Sequence, residues 1–224
     1  MEAVVRKKVP FALSIDALRA PLSIDEEFED EFREIFDECL RIANPKYIYR
    51  AFDVRQSDGE TYIDAEAFDS RVMNVNFEGV TRAYGYAATC GRELYEYALS
   101  TPDPLARYWI DSISEHILYQ ASAECLAEIR SLLDSENVSS MNPGSLSDFP
   151  ITQQKPLFRL LGDVRGLIGI ELTETCLMLP YKSLSGIYFI SGKEYVNCAL
   201  CQRADCPNRR VEFDEMLYNA TFGL

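Results

Sequence analysis

The chain has 224 residues, 47% of them apolar, which is enough to bury a real core as one large domain or one domain with a small appendage and excludes a disordered polymer. Its 22 basic and 36 acidic residues give a formal charge of −14, which repels phosphate backbones and anionic lipid surfaces and argues against nucleic acid or a membrane as partner. No stretch reaches the roughly 20 apolar residues that span a bilayer, and the N-terminus opens no long apolar run of the signal-peptide kind, so a soluble cytoplasmic protein is expected.

In chain order, Ser23-Ile24-Asp25-Glu26 reads as a capping box that starts a helix. Phe28, Phe32, Ile35, Phe36 and Leu40 recur at helical spacing along it, with Asp30, Glu31 and Glu34 off that face, until Pro45 stops the run. Tyr47 to Val54, rich in aromatic and β-branched residues, predicts a strand closed by the turn Ser57-Asp58-Gly59. Val75 to Ala88, punctuated by Gly79 and Gly85, predicts a further strand or hairpin, and Cys90-Gly91 breaks the chain before a helix carrying Leu94 and Tyr97.

The longest helical candidate runs from Pro104 to about Leu133, where Ile110, Ile113, Ile117, Leu118, Ala121 and Leu126 form a broad apolar stripe. It holds the sole histidine, His116, whose place beside Glu115 fits a structural residue better than a ligand. Asp134 to Ser140 is polar and loop-like. Lys155 to Leu161 predicts a short helix, Ile168 to Leu172 a strand, and Leu184 to Ile190 a second strand. A long helix between sheet-forming halves argues for an α+β fold.

The residues with chemical potential lie between Asn142 and Arg210. Asn142-Pro143-Gly144-Ser145 combines a fixed φ with a residue that lets backbone approach a ligand, although an ordinary turn has the same composition. Thr173-Glu174-Thr175 and Lys182-Ser183-Leu184-Ser185-Gly186 are dense in small hydroxyls, which fits either a polar site or a β-hairpin with a polar connection.

Seven cysteines in a chain without an export signal argue against a disulfide framework. Cys39, Cys90, Cys125 and Cys176 are scattered, whereas Cys198, Cys201 and Cys206 form a Cys-x2-Cys-x4-Cys pattern whose thiolates could converge on one soft metal centre, zinc or an iron–sulfur cluster. A redox thiol set and incidental cysteines remain alternatives, and the fourth ligand is open among Cys176, His116, water and a small molecule. Arg203, Arg209 and Arg210 make this segment basic within an acidic chain, which would depress thiol pKa values or contact an anion. No P-loop, dinucleotide-binding glycine motif or serine-hydrolase elbow occurs.

Taken together, Asn142-Pro143-Gly144-Ser145, Gln153-Gln154, Leu157 to Leu161, Ile168 to Thr175, Met178, Pro180 and Lys182 to Phe189 resemble the activation domain of vitamin B12-dependent methionine synthase in residues, order and spacing. The resemblance implies an α+β fold with a bent antiparallel sheet flanked by helices. It also implies S-adenosylmethionine as ligand and a partner protein carrying cobalamin, which is reductively methylated from its inactive Co(II) state. Asn142, Pro143, Gly144, Ser145 and Tyr188, with Glu115 of the long helix, are the positions it assigns to the ligand. The family carries an Arg-x-x-x-Gly-Tyr motif there, and Ser140, Gly144 and Ser145 occupy its places in this chain.

The expected organisation is one activation-like domain, with 1–45 as a helical extension and 196–224 as a cysteine-containing appendage. Because the chain is too short for separate corrinoid, homocysteine and folate domains, the expected role is that of a stand-alone activation component for a corrinoid-dependent methyltransferase. In that role Cys198, Cys201 and Cys206 would hold a cluster that passes an electron to the corrinoid, replacing part of an external electron donor. The alternative is a non-enzymatic adaptor that docks on a corrinoid protein and holds a structural metal, and a weaker third reading is a thiol redox protein using Cys198 and Cys201.

Overall fold

In a computed structural model, which describes residues 5–192, 195–206 and 209–223, the chain opens with strand β1 (Val5–Lys8) and helices α1 (Asp16–Leu22) and α2 (Glu29–Ile42). There follow β2 (Lys46–Ser57), β3 (Glu60–Ile63), β4 (Glu66–Phe68), α3 (Arg71–Asn76), β5 (Arg82–Thr89), α4 (Arg92–Ser100) and α5 (Pro104–Leu133). The second half contributes β6 (Ser139–Met141), α6 (Gln154–Leu161), α7 (Val164–Ile168), β7 (Glu171–Leu172), β8 (Met178–Leu179), β9 (Ser183–Phe189) and α8 (Glu215–Phe222). Among the described residues no helix is long and apolar enough to cross a membrane.

The main sheet is seven-stranded and antiparallel throughout, in the order β4-β3-β2-β5-β9-β6, with β1 also on β2. β2 is long enough to serve two neighbours end to end: β1 pairs with Lys46 to Tyr49, and β3 with Val54 to Ser57. Alternation along β2 divides its side chains between two cores. Tyr47, Tyr49 and Ala51 face a core built with α2, α4 and α5, and Ile48, Phe52 and Val54 face one built with α3, α6 and α7. Helices therefore cover both faces of an antiparallel sheet, which is why β5 and β9 are buried along nearly their whole length.

The long helix forms as its sequence predicts. Asp103 caps it by accepting the Ala106 N–H at 2.8 Å, Pro104 fits the first turn, and Asp134 closes it in the left-handed region. Thirty residues give a rod about 45 Å long. Trp109, Ile110, Ile113, Ile117 and Ala121 are buried along it, with Trp109 edge-on to Phe32 at 5.4 Å. Two phenols of β2 fix it to the sheet, Tyr47 donating to Glu128 Oε2 at 2.5 Å and Tyr49 to Oε1 at 2.9 Å.

Several local expectations give way. Ser23 is not an N-cap: it ends α1 in the left-handed region, its N–H bonded to Ala20 and Arg19 carbonyls, and α2 starts only after a 3-10 turn at Glu26–Phe28. Val75 lies in α3, and only Arg82 onward is strand. That short helix is reinforced by a distant residue, since Asp148 accepts from both Ser70 Oγ at 2.7 Å and the Val72 N–H at 2.9 Å. Ile168 ends helix α7 against Gly169 at φ +80°, leaving Glu171–Leu172 to pair with β8 in a small two-stranded sheet, the β-hairpin alternative for that stretch.

Both ends of the chain enter the cores. Leu18, Phe32 and Phe36 of the first 45 residues are buried in the first core, while Leu200, Tyr218 and Phe222 pack on the second core.

Candidate functional site

β5, β9 and β6 lie side by side, with Tyr86 opposite Gly186 and Ser140 opposite Tyr188. The rings of Tyr86 and Tyr188 stack at 4.1 Å and 9°, both buried on the sheet face toward α5. Burial pushes both phenols above the ordinary tyrosine range, so they act as neutral donors and apolar surface rather than as bases.

Asn142, just past β6, ties the three strands together. Its Nδ2 donates to Tyr86 Oη and to the Ser185 carbonyl, each at 2.8 Å, and its Oδ1 accepts from Ser140 Oγ at 3.2 Å. The amide reaches that far because position 186 has no side chain: a Cβ there would lie 2.4 Å from Asn142 Nδ2 and 2.9 Å from the Met141 carbonyl.

Above these residues is a cleft of about 550 Å³. Tyr86, Tyr188, Ser140 and Asn142 form its floor, Tyr119, Ser122 and Leu126 of α5 form one wall, and Arg209 and Arg210 of the C-terminal segment form another. The volume fits a small organic ligand, with aromatic and apolar surface beside a few convergent polar groups.

The C-terminal wall is held by the cysteine segment itself. Arg209 Nη1 donates to the carbonyls of Cys198 and Val211, each at 3.3 Å, and Nη2 to the carbonyls of Cys201, at 3.2 Å, and Arg203. Arg210 is exposed in the cleft and contacts the Cys198 thiol. Burial alone would raise that thiol, but the backbone N–H and guanidinium of Arg210 outweigh it and hold Cys198 below the ordinary thiol range.

The residues singled out from the sequence are distributed unevenly. Asn142 and Tyr188 are in the cleft. Pro143 and Gly144 shape the turn that follows: Gly144 has φ +86° and donates to the Phe149 carbonyl at 2.7 Å, and a Cβ there would meet Ile151 at 2.9 Å. Ser145 bonds back to the Asn142 carbonyl at 2.5 Å and lines a separate cavity of about 210 Å³ with Cys201, Leu200 and Tyr218. Glu115 lies outside the cleft, paired with Lys182 at 2.8 Å, and accepts from Tyr119 at 3.0 Å, so it bears on the cleft through that ring. The Lys182 ammonium holds its carboxyl below the usual range.

Cys198, Cys201 and Cys206 are free, part-buried thiols. Among the described residues no three His, Cys, Asp or Glu side chains are gathered as a metal-ligand set. His116 faces back along its own helix, its Nδ1 2.8 Å from the Ser112 carbonyl, and Cys176 is buried in the turn of the small hairpin.

Sequence reading missed Tyr86, Tyr119 and Ser122 as cleft residues. The signal for the last two was their i, i+3, i+7 spacing with Leu126, which marks one helix face but not what lies opposite it.

The fold is α+β, an antiparallel sheet covered by helices on both faces, with a cleft between the sheet and its long helix. Among solved structures, a crystal structure of the MetH reactivation domain bound to AdoHcy is similar at a TM-score of 0.60 and 15% identity, over 87% of this chain and 80% of that one. The fold is therefore that of the methionine synthase activation domain. No protein-family model matches the chain, nor does any curated protein sequence.

Proposed function

We propose that the cleft binds S-adenosylmethionine and its product S-adenosylhomocysteine, and that the protein is the activation component of a cobalamin-dependent methyltransferase such as methionine synthase. The observation that carries this reading is the joining of Asn142, Tyr86 and Tyr188 in one cleft, on a fold shared with a reactivation domain that holds AdoHcy. The cleft has surface for the adenosine and thioether and polar groups for the amino-acid end.

The reaction served is the return of cob(II)alamin to methylcobalamin. An external low-potential one-electron donor would supply the electron, and the partner's corrinoid, as substrate, would take the methyl group from the sulfonium of S-adenosylmethionine, which would leave as S-adenosylhomocysteine. The chain's own part is to bind and orient the methyl donor over a corrinoid carried by a partner, in the cytoplasm, where its free thiols stay reduced.

A second reading, a non-enzymatic adaptor on a corrinoid protein, is favoured by Ser140 and Ser145 in place of the family's motif arginine and tyrosine. The zinc or cluster reading of Cys198, Cys201 and Cys206 is supported by their spacing. Calorimetry with S-adenosylmethionine, S-adenosylhomocysteine and a corrinoid-loaded methyltransferase tests the main reading, for which binding of both the nucleoside and the partner is expected. Binding of the partner alone would favour the adaptor, and binding of neither would remove both. Anaerobic purification with metal analysis separates the fates of the thiols: iron with a reducible visible band supports electron delivery, zinc supports a structural role, and no metal sinks both.

A further inference from the structure

One wall of the cleft comes from the segment that carries the three cysteines, and it brings two guanidiniums to the cleft in a chain of formal charge −14. They are not equivalent. Arg209 engages four backbone carbonyls of its own segment, those of Cys198, Cys201, Arg203 and Val211, so its donors are directed at the loop. A guanidinium has five N–H donors in a fixed fork, and four carbonyl bonds leave it little to offer a ligand. Arg210, its neighbour, is exposed in the cleft, and its contact with the Cys198 thiol leaves further donors.

The donors of Asn142 and Ser140 on the floor are already committed. Asn142 Nδ2 donates to Tyr86 and Ser185, and Ser140 donates to Asn142. An anionic group entering the cleft would find neutral phenol and amide groups on that floor but no charged donor. We infer that Arg210 is the residue that binds the ligand's carboxylate, with Arg209 as the positioning residue that fixes the loop from which Arg210 reaches. The segment around Cys198 and Cys201 thus completes the ligand site. Planar, two-point pairing of guanidinium with carboxylate gives such a contact both strength and orientation.

This inference rests on the proposed ligand, and two ligands keep the two claims apart. S-adenosylhomocysteine carries the amino-acid carboxylate, and 5′-methylthioadenosine has the same adenosyl thioether without it. The wild-type protein, Arg210→Ala and Arg210→Lys are titrated with each by calorimetry, with thermal melts showing that the variants are folded. The expected result is a loss of about 10- to 100-fold in affinity for S-adenosylhomocysteine in Arg210→Ala, partial recovery in Arg210→Lys, and unchanged affinity for 5′-methylthioadenosine. Equal losses for both ligands would make Arg210 merely structural and overturn the inference, as would undiminished S-adenosylhomocysteine binding in Arg210→Ala; the ligand reading survives either result. Wild-type protein that binds neither compound would remove the ligand reading and this inference together.

Discussion

Cys198 is the thiol that its surroundings set apart. Cys39 and Cys90 are buried, and burial pushes each up to about 12, while Cys125 is raised further still. At Cys198 burial works in the same direction but is outweighed by the N–H and guanidinium of Arg210. Because the thiolate is the nucleophile, Cys198 is expected to be the fastest of these four to alkylate with iodoacetamide near neutral pH, and Arg210→Ala should slow it by several-fold. Peptide mapping after brief alkylation reads the order directly. Its depressed pKa also means that Cys198 favours the folded state above the ordinary thiol range, and that this contribution is lost as pH falls through its folded value. Uniform labelling of Cys198 and Cys39 would contradict the assigned environments.

At the scale of elements, the junction of β5, β9 and β6 is where the cleft is decided. Tyr86 sits opposite Gly186, and the Asn142 amide passes over that glycine to reach Tyr86 and Ser185. A Cβ at position 186 would be 2.8 Å from Tyr86 Cε1 and 2.9 Å from the Met141 carbonyl, and a backbone atom cannot move aside as a side-chain tip can. Gly186→Ala is expected to cost about 1 to 3 kcal/mol, the usual range for overpacking, and to weaken ligand binding because the amide must leave its place. Urea unfolding measures the first effect and calorimetry the second. A variant with the wild-type midpoint would show that the three strands have more slack than these distances allow.

Over the whole molecule, two cores share one sheet. Tyr47 and Ile48 are neighbours in β2 yet belong to different cores, so neither core can melt without exposing the strands of the other. A single thermal transition is expected, and substitutions in either core should shift it as one. Trp109→Ala in the first core should cost about 3 to 5 kcal/mol and lower the midpoint by on the order of 10 °C, and Phe149→Ala in the second should move the same transition. Two separated calorimetric peaks in either variant would show that the halves unfold independently.

The sequence alone determined what local periodicity and capping control. The long helix was legible because Pro104 marks its start and an apolar stripe from Ile110 to Leu126 runs through it, while its Asp103 cap was seen only in the structure. β9 was legible to within a residue, expected at Leu184 to Ile190 and found at Ser183–Phe189, and the resemblance singled out Asn142 and Tyr188, which line the cleft. The tertiary structure decided the rest. α3 has its own cap in Ser70, which accepts from the Met73 N–H, but Asp148, more than seventy residues away, reinforces it by accepting from Ser70 Oγ and the Val72 N–H, a partner no window of sequence contains. The cleft likewise needs β5, β6, α5 and the cysteine segment at one place, and Arg209 and Arg210, which the sequence marks as a basic stretch suited to an anion or a thiolate, line it only because the chain folds back onto those elements. Spacing along a chain fixes which residues share a face, but contact between distant faces is set by packing, where a single missing Cβ at Gly186 decides whether an amide can reach two strands.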